Sequence, residues 1–181
     1  MAKYNGIAFF DLDGVLADCG HRLHFVDEGK KRKFYSGKEI AKDYLIYPGY
    51  ELVRMFEKEG RKIIFVSSRR ESCRRATNKW LWLVFGDMKY ELYLKYRGDK
   101  REPWEVKHDL IKDAIKKNRN LYHDNFTHFY VDDYSKNCEM VYNDYGYKIT
   151  PLHFYRKMDR EQRSSAGLAY ARKYYNEQLM V

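Results

Sequence analysis

The amino-acid sequence predicts an α/β fold with a doubly wound parallel sheet, and two observations support this class. Three short apolar runs, at residues 7–10, 63–66 and 129–131, are continuous rather than alternating, which is typical of strands buried on both faces of a sheet. Helical patterns separate and follow these runs. Strands that alternate with helices favour a parallel sheet covered by helices on both faces.

Each helical pattern is a stripe of residues, mostly apolar, that recur at the spacing of one helix face. The three stripes are, in chain order, Cys73-Thr77-Trp80-Leu81-Val84, Lys107-Leu110-Ile111-Ala114 and Cys138-Val141-Tyr142-Tyr145. A further strand is expected at residues 147–152. We therefore predict that three helices with these buried faces connect and cover the strands.

Two segments do not fit the alternation. Residues 19–48 are basic, aromatic and poor in periodicity, and they predict a small cap-like insertion over the site. Residues 152–181 predict an appended amphipathic helix, which either packs on the sheet or forms a contact between subunits of a homo-oligomer. The expected organisation is a core over residues 1–151, with the insertion, and a helical extension over residues 152–181.

Composition restricts the class of protein. Apolar residues make up 44% and charged residues 34% of the 181 residues, which excludes a disordered chain and is sufficient for a core. No run approaches the ~18 apolar residues of a membrane helix. The sequence starts without a secretory signal pattern, and three cysteines without a CxxC pair exclude a disulfide scaffold or zinc knuckle. We expect a cytoplasmic protein that does not enter membranes.

The charge of the chain favours anionic partners. Lysine and arginine total 35 against 26 acidic residues, for a net charge of +9, as in proteins that bind nucleic acid, nucleotides or phosphate esters. Basic residues cluster within residues 30–33, 69–79 and 95–101, and we expect these clusters to surround one mouth. The alternative is a basic surface that only keeps the protein soluble.

Polar residues follow all three apolar runs. Asp11 and Asp13 follow the first, Ser67 the second, and Asp132 and Asp133 the third. Ligands of doubly wound sheets bind at the carboxyl ends of the strands, so we expect these side chains to meet. A lone DxDG is usually only a polar turn, but here it has partners at two further strand ends.

These residue types suit phosphoryl transfer. Asp11 can act as nucleophile and as ligand of a hard cation such as Mg²⁺, and the turn at Gly14 can bring Asp13 beside the leaving oxygen as general acid and base. Ser67 offers a hydroxyl group to a phosphoryl oxygen. Lys107 shares the apolar face of its helix, so its ammonium points inward, either to neutralise charge or only to bury its stem.

The motifs Asp11-x-Asp13-Gly14, Ser67, Lys107 and Asp132-Asp133, in this order, resemble the four motifs of the haloacid dehalogenase (HAD) phosphatase superfamily. The resemblance implies a Rossmann-like core, Mg²⁺ (with Mn²⁺ as substitute) and an aspartyl-phosphate intermediate at Asp11. It further implies that Asp13 is the acid and base, that Ser67 binds phosphate and that Lys107 is a catalytic charge clamp. The implied metal site involves Asp11, Asp13, Asp132 and Asp133, without deciding which of the last two is a direct ligand.

A narrower resemblance covers residues 7–150, which are similar to the 3′-phosphatase domain of bacteriophage-type polynucleotide kinase-phosphatase. It rests on ADCGHRLHFV, FVSSRRESCRRATNKWL and LYLKYRGDKREPWEVKHDLI. It implies that Arg22 and Arg69 contact the phosphate, for which the planar guanidinium fork is suited. The sequence departs from the family at Val15, Ser68 and Pro103, where threonine, glycine and aspartate are frequent.

Three functions are compatible with these motifs. The first is a 3′-phosphatase for DNA or RNA ends, and the second is a nucleotidase with the same chemistry. The third is a catalytically silent protein that binds nucleic-acid ends. Since the sequence contains no GxxxxGK[ST] kinase motif, we expect a stand-alone phosphatase.

Overall fold

The structure, a computed structural model, describes residues 4–122 and 125–155. The strands within these residues are β1 Ile7–Phe10, β2 Ala17–Asp18, β3 Tyr44–Leu45, β4 Lys62–Arg70, β5 Tyr90–Lys95, β6 His128–Asp132 and β7 Ile149–His153. The α-helices are α1 His24–Asp27, α2 Lys31–Phe34, α3 Gly37–Ile40, α4 Tyr47–Lys58, α5 Arg74–Phe85, α6 Pro103–Lys117 and α7 Ser135–Tyr145.

The central sheet has five parallel strands in the order β5-β4-β1-β6-β7, while β2 and β3 form a separate antiparallel pair. Helices α4 and α5 contribute to the core on one face, and α6 and α7 to the core on the other. The predicted α/β class with a doubly wound parallel sheet is confirmed. Among the described residues, no helix has both the length and the apolar character needed to cross a membrane.

Strand β1 is apolar throughout because both of its faces are buried. Phe10 packs against Phe56 of α4, with ring centroids 5.8 Å apart, whereas Phe9 belongs to the opposite core with Leu110 and Val141. Full burial of one such ring contributes roughly 2–3 kcal/mol. These two cores fix the carboxyl end of β1, from which Asp11 follows directly.

Several predicted boundaries require correction. Strand β4 extends to Arg70 through an irregular register after Ser67, so Ser67 lies inside the strand rather than at its end. Strand β5, a tyrosine-rich edge strand of mostly intermediate burial, was not predicted. The last strand is Ile149–His153 rather than residues 147–152. Tyr142 was assigned to a buried helix face and is 66% exposed.

The segment 19–48 contains α1, α2, α3 and one strand of the antiparallel pair. Its short helices bury Phe34 and Ile40, and the polar side chains of Arg22 and Asp43 are buried with them. Its role as a cap, and the domain division at residue 151, remain predictions. Most of the predicted C-terminal helix, residues 156–181, and its subunit contact lie outside the described residues.

Candidate active site

Polar side chains from three central strands and one helix line a single cavity of about 560 Å³. We call it the site cavity and define it by Asp11, Asp13, Ser67, Lys107 and Asp133. These residues come together because β1, β4 and β6 are parallel neighbours, so that their carboxyl ends lie at one edge of the sheet. This arrangement agrees with the expectation that these side chains meet.

Asp11 lines the site cavity next to a buried lysine. Its backbone N–H donates to the Val131 carbonyl at 2.9 Å, and its side chain is 8% exposed. Burial raises the pKa of the Asp11 carboxyl well above its ordinary value, and the positive charge of Lys107 opposes that rise. The lysine therefore favours the ionised form that a nucleophile requires.

Lys107 lies on the fifth position of α6, on the same face as Leu110 and Ile111. Its Nζ is 2.8 Å from Oδ2 of Asp11 and 2.6 Å from Oδ2 of Asp132. Burial lowers the pKa of the lysine, but the two carboxylates raise this pKa by more than burial lowers it. The ammonium therefore stays charged. Pro103 starts the helix, and the support of Lys107 comes from the two strand-end carboxylates.

Asp132 is held by several donors at once. Besides Lys107, it accepts from the hydroxyl of Tyr130, from the backbone N–H of Tyr134 at 2.9 Å and from Nδ2 of Asn137 at 3.0 Å. This side chain is fully buried. The bonds fix the orientation of Asp132 toward Asp11 and Lys107.

Asp11, Asp132 and Asp133 could hold a metal ion together. Each offers one carboxylate oxygen, and these oxygens lie within 4.8 Å of one another. Burial, and then the charge of Asp132, raise the pKa of Asp133 to about 6. Because one lysine ammonium does not balance three carboxylates, a hard divalent cation with oxygen ligands fits this cluster.

The predicted ligand Asp13 has a different environment. Its Oδ1 accepts from Nη2 of Arg22 at 2.9 Å and from Nη2 of Arg69 at 2.7 Å, and its Oδ2 accepts from Nε of Arg69 at 2.9 Å. Burial raises the pKa of Asp13, but the charge and hydrogen bonds of Arg69, followed by the charge of Arg22, lower it below its ordinary value. Asp13 is therefore an ionised group held by arginines, and it is not part of the metal-compatible cluster.

Arg22 and Arg69 are both fully buried, and neither lines the site cavity. Their predicted contact with phosphate therefore stays a prediction, since the structure directs both guanidinium groups to Asp13 and to a second acid, Asp43. Nη1 of Arg69 has no hydrogen-bond partner among the described residues. Within the described residues, it is the guanidinium nitrogen of this pair that makes no hydrogen bond.

Ser67 and Ser68 also line the site cavity. The Ser67 oxygen accepts from the Arg69 backbone N–H at 3.2 Å, which leaves its hydroxyl hydrogen available to a phosphoryl oxygen. The Ser68 oxygen is buried and has no partner within the described residues. Two serine side chains of the cavity lining thus keep hydroxyl hydrogens that could be donated to a phosphoryl oxygen.

Asp43 was missed by the sequence reasoning. Its side chain is fully buried against Arg22 and Arg69. The residue lies between α3 and β3 in a segment without periodicity, where the sequence carries no motif that distinguishes it from a surface acid. Only the tertiary path of residues 19–48 reveals it.

A second depression, of about 420 Å³, lies beside the site cavity. We call it the basic groove; it is lined by Gly29, Lys30, Lys31, Arg32, Lys33 and Arg70. The Arg70 guanidinium lies 5.1 Å from the ring centroid of Tyr35, and Tyr35 lines the site cavity. The Tyr35–Arg70 pair therefore connects the two depressions.

The other predicted basic clusters are partly neutralised. Arg74 forms an ion pair with Glu71, and Arg101 forms ion pairs with Asp99 and Asp109. Lys30 likewise forms an ion pair with Glu28, and it lines the basic groove together with Lys31, Arg32, Lys33 and Arg70. The expectation that all three clusters surround one mouth stays a prediction.

The fold and the strand-end residues place the chain among the HAD-type phosphatases. Residues 6–150 match the family described as the polynucleotide kinase PNKP phosphatase domain, and the chain belongs to this family. The resemblance predicted over residues 7–150 is thereby confirmed. A search of curated proteins gave no match.

Two solved structures have similar folds. The first, "Structure of Pnkp1/Rnl/Hen1 complex", has a TM-score of 0.60 and 18% identity, covering 86% of this chain and 48% of that chain. The second, "Structure of the Pnkp1/Rnl/Hen1 RNA repair complex", has a TM-score of 0.62 and 19% identity, covering 86% and 44%. The chain thus spans about half the length of these solved chains, and at such identities the likeness shows the fold.

Proposed function

We propose that the protein is a Mg²⁺-dependent phosphatase that hydrolyses 3′-phosphate ends of polynucleotides through an aspartyl-phosphate at Asp11. The observation that carries this proposal is the pairing of Asp11 and Lys107 in a cavity that adjoins the basic groove. The family supports the phosphatase chemistry. The groove supports a polymeric, anionic substrate.

In the first step, a carboxylate oxygen of Asp11 attacks the phosphorus atom, and the bond from phosphorus to the 3′-oxygen breaks. Asp13 gives a proton to the leaving oxygen. The dianionic phosphate, once it lies near the arginines that hold Asp13, offsets their charge and raises the pKa of Asp13, which allows it to carry that proton. Lys107 neutralises the charge that develops on the phosphoryl oxygens.

In the second step, Asp13 is ionised again and accepts a proton from a water molecule. The water oxygen attacks the phosphorus atom, the bond to Asp11 breaks, and inorganic phosphate leaves. Ser67 and Ser68 donate hydrogen bonds to phosphoryl oxygens in both steps.

Asp11, Asp132 and Asp133 are the residues that would hold Mg²⁺ or Mn²⁺. When bound, the ion supplies positive charge to the phosphoryl oxygens. The Asp13 side chain would not ligate the ion, because both of its carboxylate oxygens accept from arginines.

The basic groove favours a polynucleotide over a mononucleotide. A mononucleotide fills the site cavity with one phosphate, whereas the groove presents four cationic side chains beyond the Tyr35–Arg70 pair. A strand whose terminal phosphate lies at Asp11 would pass Tyr35, on whose ring a base can stack. Its next phosphates would then lie beside Lys30–Lys33 side chains. The RNA repair complex named for one solved neighbour supports RNA ends as the first substrate to test.

The test compares the salt dependence of kcat/KM for an oligonucleotide 3′-phosphate and for a 3′-mononucleotide. Each phosphate contacted adds roughly 0.7 to the slope for a single strand, so the first slope should be steep and the second shallow. Replacing Lys31, Arg32 and Lys33 by glutamine should flatten only the first. The matched control neutralises Lys112, Lys116 and Arg119, which line another depression, and should leave both slopes unchanged.

Two outcomes favour the alternatives. Parallel, shallow slopes for both substrates support a nucleotidase. No turnover of an aryl phosphate with Mg²⁺ supports a silent protein that binds nucleic-acid ends.

A further inference from the structure

Asp43 forms a closed network with two arginines and Asp13. Its Oδ1 accepts from Nε of Arg22 at 2.6 Å, and its Oδ2 accepts from Nη2 of Arg22 at 2.7 Å and from Nη2 of Arg69 at 2.6 Å. The Asp43 side chain and both arginine side chains are fully buried. Two positive and two negative charges are therefore balanced in this network.

The same nitrogen atoms serve both acids. Nη2 of Arg22 donates to Asp13 and to Asp43, and Nη2 of Arg69 does so as well. By binding each guanidinium group, Asp43 fixes the orientation in which that group also donates to Asp13. Without Asp43, two buried guanidinium groups would share one carboxylate, and one positive charge would have no partner in the network.

Asp43 is itself fixed to the core. Its backbone carbonyl accepts from Nε1 of Trp80 at 2.9 Å, and Trp80 is buried in the core beside the sheet. Arg22 is further held by the Phe34 carbonyl at 3.0 Å and lies over the Phe34 ring. The segment 19–48 therefore delivers a carboxylate in a fixed position rather than on a loose surface loop.

Stability alone does not account for such a network. Removing charged groups from water has a large desolvation cost, and apolar side chains of similar volume often replace a buried ion pair without loss of stability. Asp13 is the member of the network that lines the site cavity. This position indicates that the network has a role in holding Asp13.

We propose that Asp43 is a positioning residue, which orients Arg22 and Arg69 so that they hold Asp13 toward the leaving oxygen. This inference rests on the proposed function only in giving Asp13 the role of acid and base. It does not depend on whether the substrate is a polynucleotide.

The test uses Asp43→Asn and two phosphate esters that differ in their need for an acid. A 3′-phosphorylated oligonucleotide has a poor alkoxide leaving group, whereas para-nitrophenyl phosphate has a good one that departs without a proton. If Asp43 acts through Asp13, kcat/KM, which reports the step in which the leaving group departs, should fall about 100-fold or more on the first ester and far less on the second. Glu39→Gln, in the same segment and paired with Lys42, is the control and should leave both unchanged.

A merely structural role predicts a different pattern. Loss of folded protein lowers kcat/KM on both esters by the same factor, and that result would overturn the inference. A double variant with Asp13→Asn gives a second reading: if Asp43 acts through Asp13, the double variant should be no slower than Asp13→Asn alone, and additive losses would oppose the inference.

Two further comparisons keep the outcome decisive. If Asp43→Asn does not fold, Asp43→Glu replaces it, because this variant keeps the charge and shifts it by one methylene group. Asp43→Glu should show the same selective loss on the oligonucleotide. Equal losses on the two esters would overturn the inference. If the wild-type protein turns over neither ester, the proposed function fails. A wild type active on both, with a variant that loses both equally, rejects only the role of Asp43.

Discussion

The ammonium of Lys107 lies 2.8 Å from the carboxylate of Asp11 inside the protein, where both side chains are almost completely removed from solvent. Burial alone would keep Asp11 protonated, and a protonated carboxyl is a poor nucleophile. The lysine therefore has two functions in the proposed reaction. It maintains the charge of the nucleophile before attack, and it neutralises the phosphoryl group during attack.

The first prediction concerns this pair. Lys107→Gln should lower kcat by about 10²–10³-fold, because the transition state loses a preorganised positive charge. It should also move the acid limb of the kcat/KM profile to higher pH: without the ammonium the pKa of Asp11 rises further, and activity is lost as pH falls through that pKa. Lys112→Gln, on the exposed side of the same helix, should match the wild type. An unshifted acid limb would contradict the pairing.

The second prediction concerns the nucleophile. Asp11→Asn keeps the shape of the side chain but removes the attacking charge, so turnover with Mg²⁺ should fall below roughly 1% of the wild-type rate. Asp13→Asn should slow the first step on an oligonucleotide 3′-phosphate, because the leaving alkoxide loses its acid. With para-nitrophenyl phosphate, which needs no acid, it should slow the second step and accumulate phosphoenzyme labelled at Asp11. Quench-flow with ³²P-labelled substrate measures both effects, with the exposed Asp87→Asn as control. Substantial turnover by Asp11→Asn would exclude a covalent mechanism.

Much of the candidate site was predictable because parallel strands bring their carboxyl ends to one edge. Asp11, Ser67, Lys107 and Asp133 line one cavity, and each follows or lies beside a strong apolar pattern in the sequence. Asp43 was not predictable, since its position depends on how an irregular segment folds against Trp80. No local pattern encodes that path.

Prediction of the fold from the sequence was limited in the same way, because only strong local patterns could be recognised. Strands buried on both faces were recognised from their continuous apolar runs, whereas the edge strand β5 was missed. Its six residues, YELYLK, are mostly of intermediate burial and form neither a strict alternation nor a long apolar run, so this pattern is too short to separate from a loop. Tyr142 was misassigned because Met140, rather than Tyr142, is buried beside Val141 on α7.

The third prediction concerns the two arginines. Arg69→Lys should lower kcat by roughly 100-fold or more, because a lysine cannot reproduce the planar fork that contacts both oxygens of Asp13. Arg22→Lys should have a smaller effect, since Arg22 makes one bond to Asp13. Arg74→Lys, at a surface pair with Glu71, is the control. Steady-state kinetics that match the wild type in both site variants would return these arginines to an ordinary structural role.

The fourth prediction concerns the metal. Chelation should abolish turnover, and Mg²⁺ or Mn²⁺ should restore it, because three carboxylates converge in the site cavity. The ion binds the ionised carboxylates, and the pKa of Asp133 is about 6. The Mg²⁺ concentration for half-maximal rate should therefore increase as pH falls through about 6, which a metal titration at several pH values measures. Full activity after exhaustive chelation would remove the metal from the proposal.

The last prediction uses two glycines to separate backbone strain from damage to the metal site. Gly14 has a φ of +88°, and a Cβ atom there would lie 1.9 Å from Oδ2 of Asp133. Gly98 has a nearly equal φ of +83°, but a Cβ atom there would meet nothing within 4 Å. Both alanine variants should therefore lose a similar backbone contribution, about 1 kcal/mol, in urea unfolding. Only Gly14→Ala should also displace Asp133, and it should raise the half-maximal Mg²⁺ concentration by about 10–100-fold. Equal Mg²⁺ requirements in the two variants would mean that Asp133 does not contribute to the metal site.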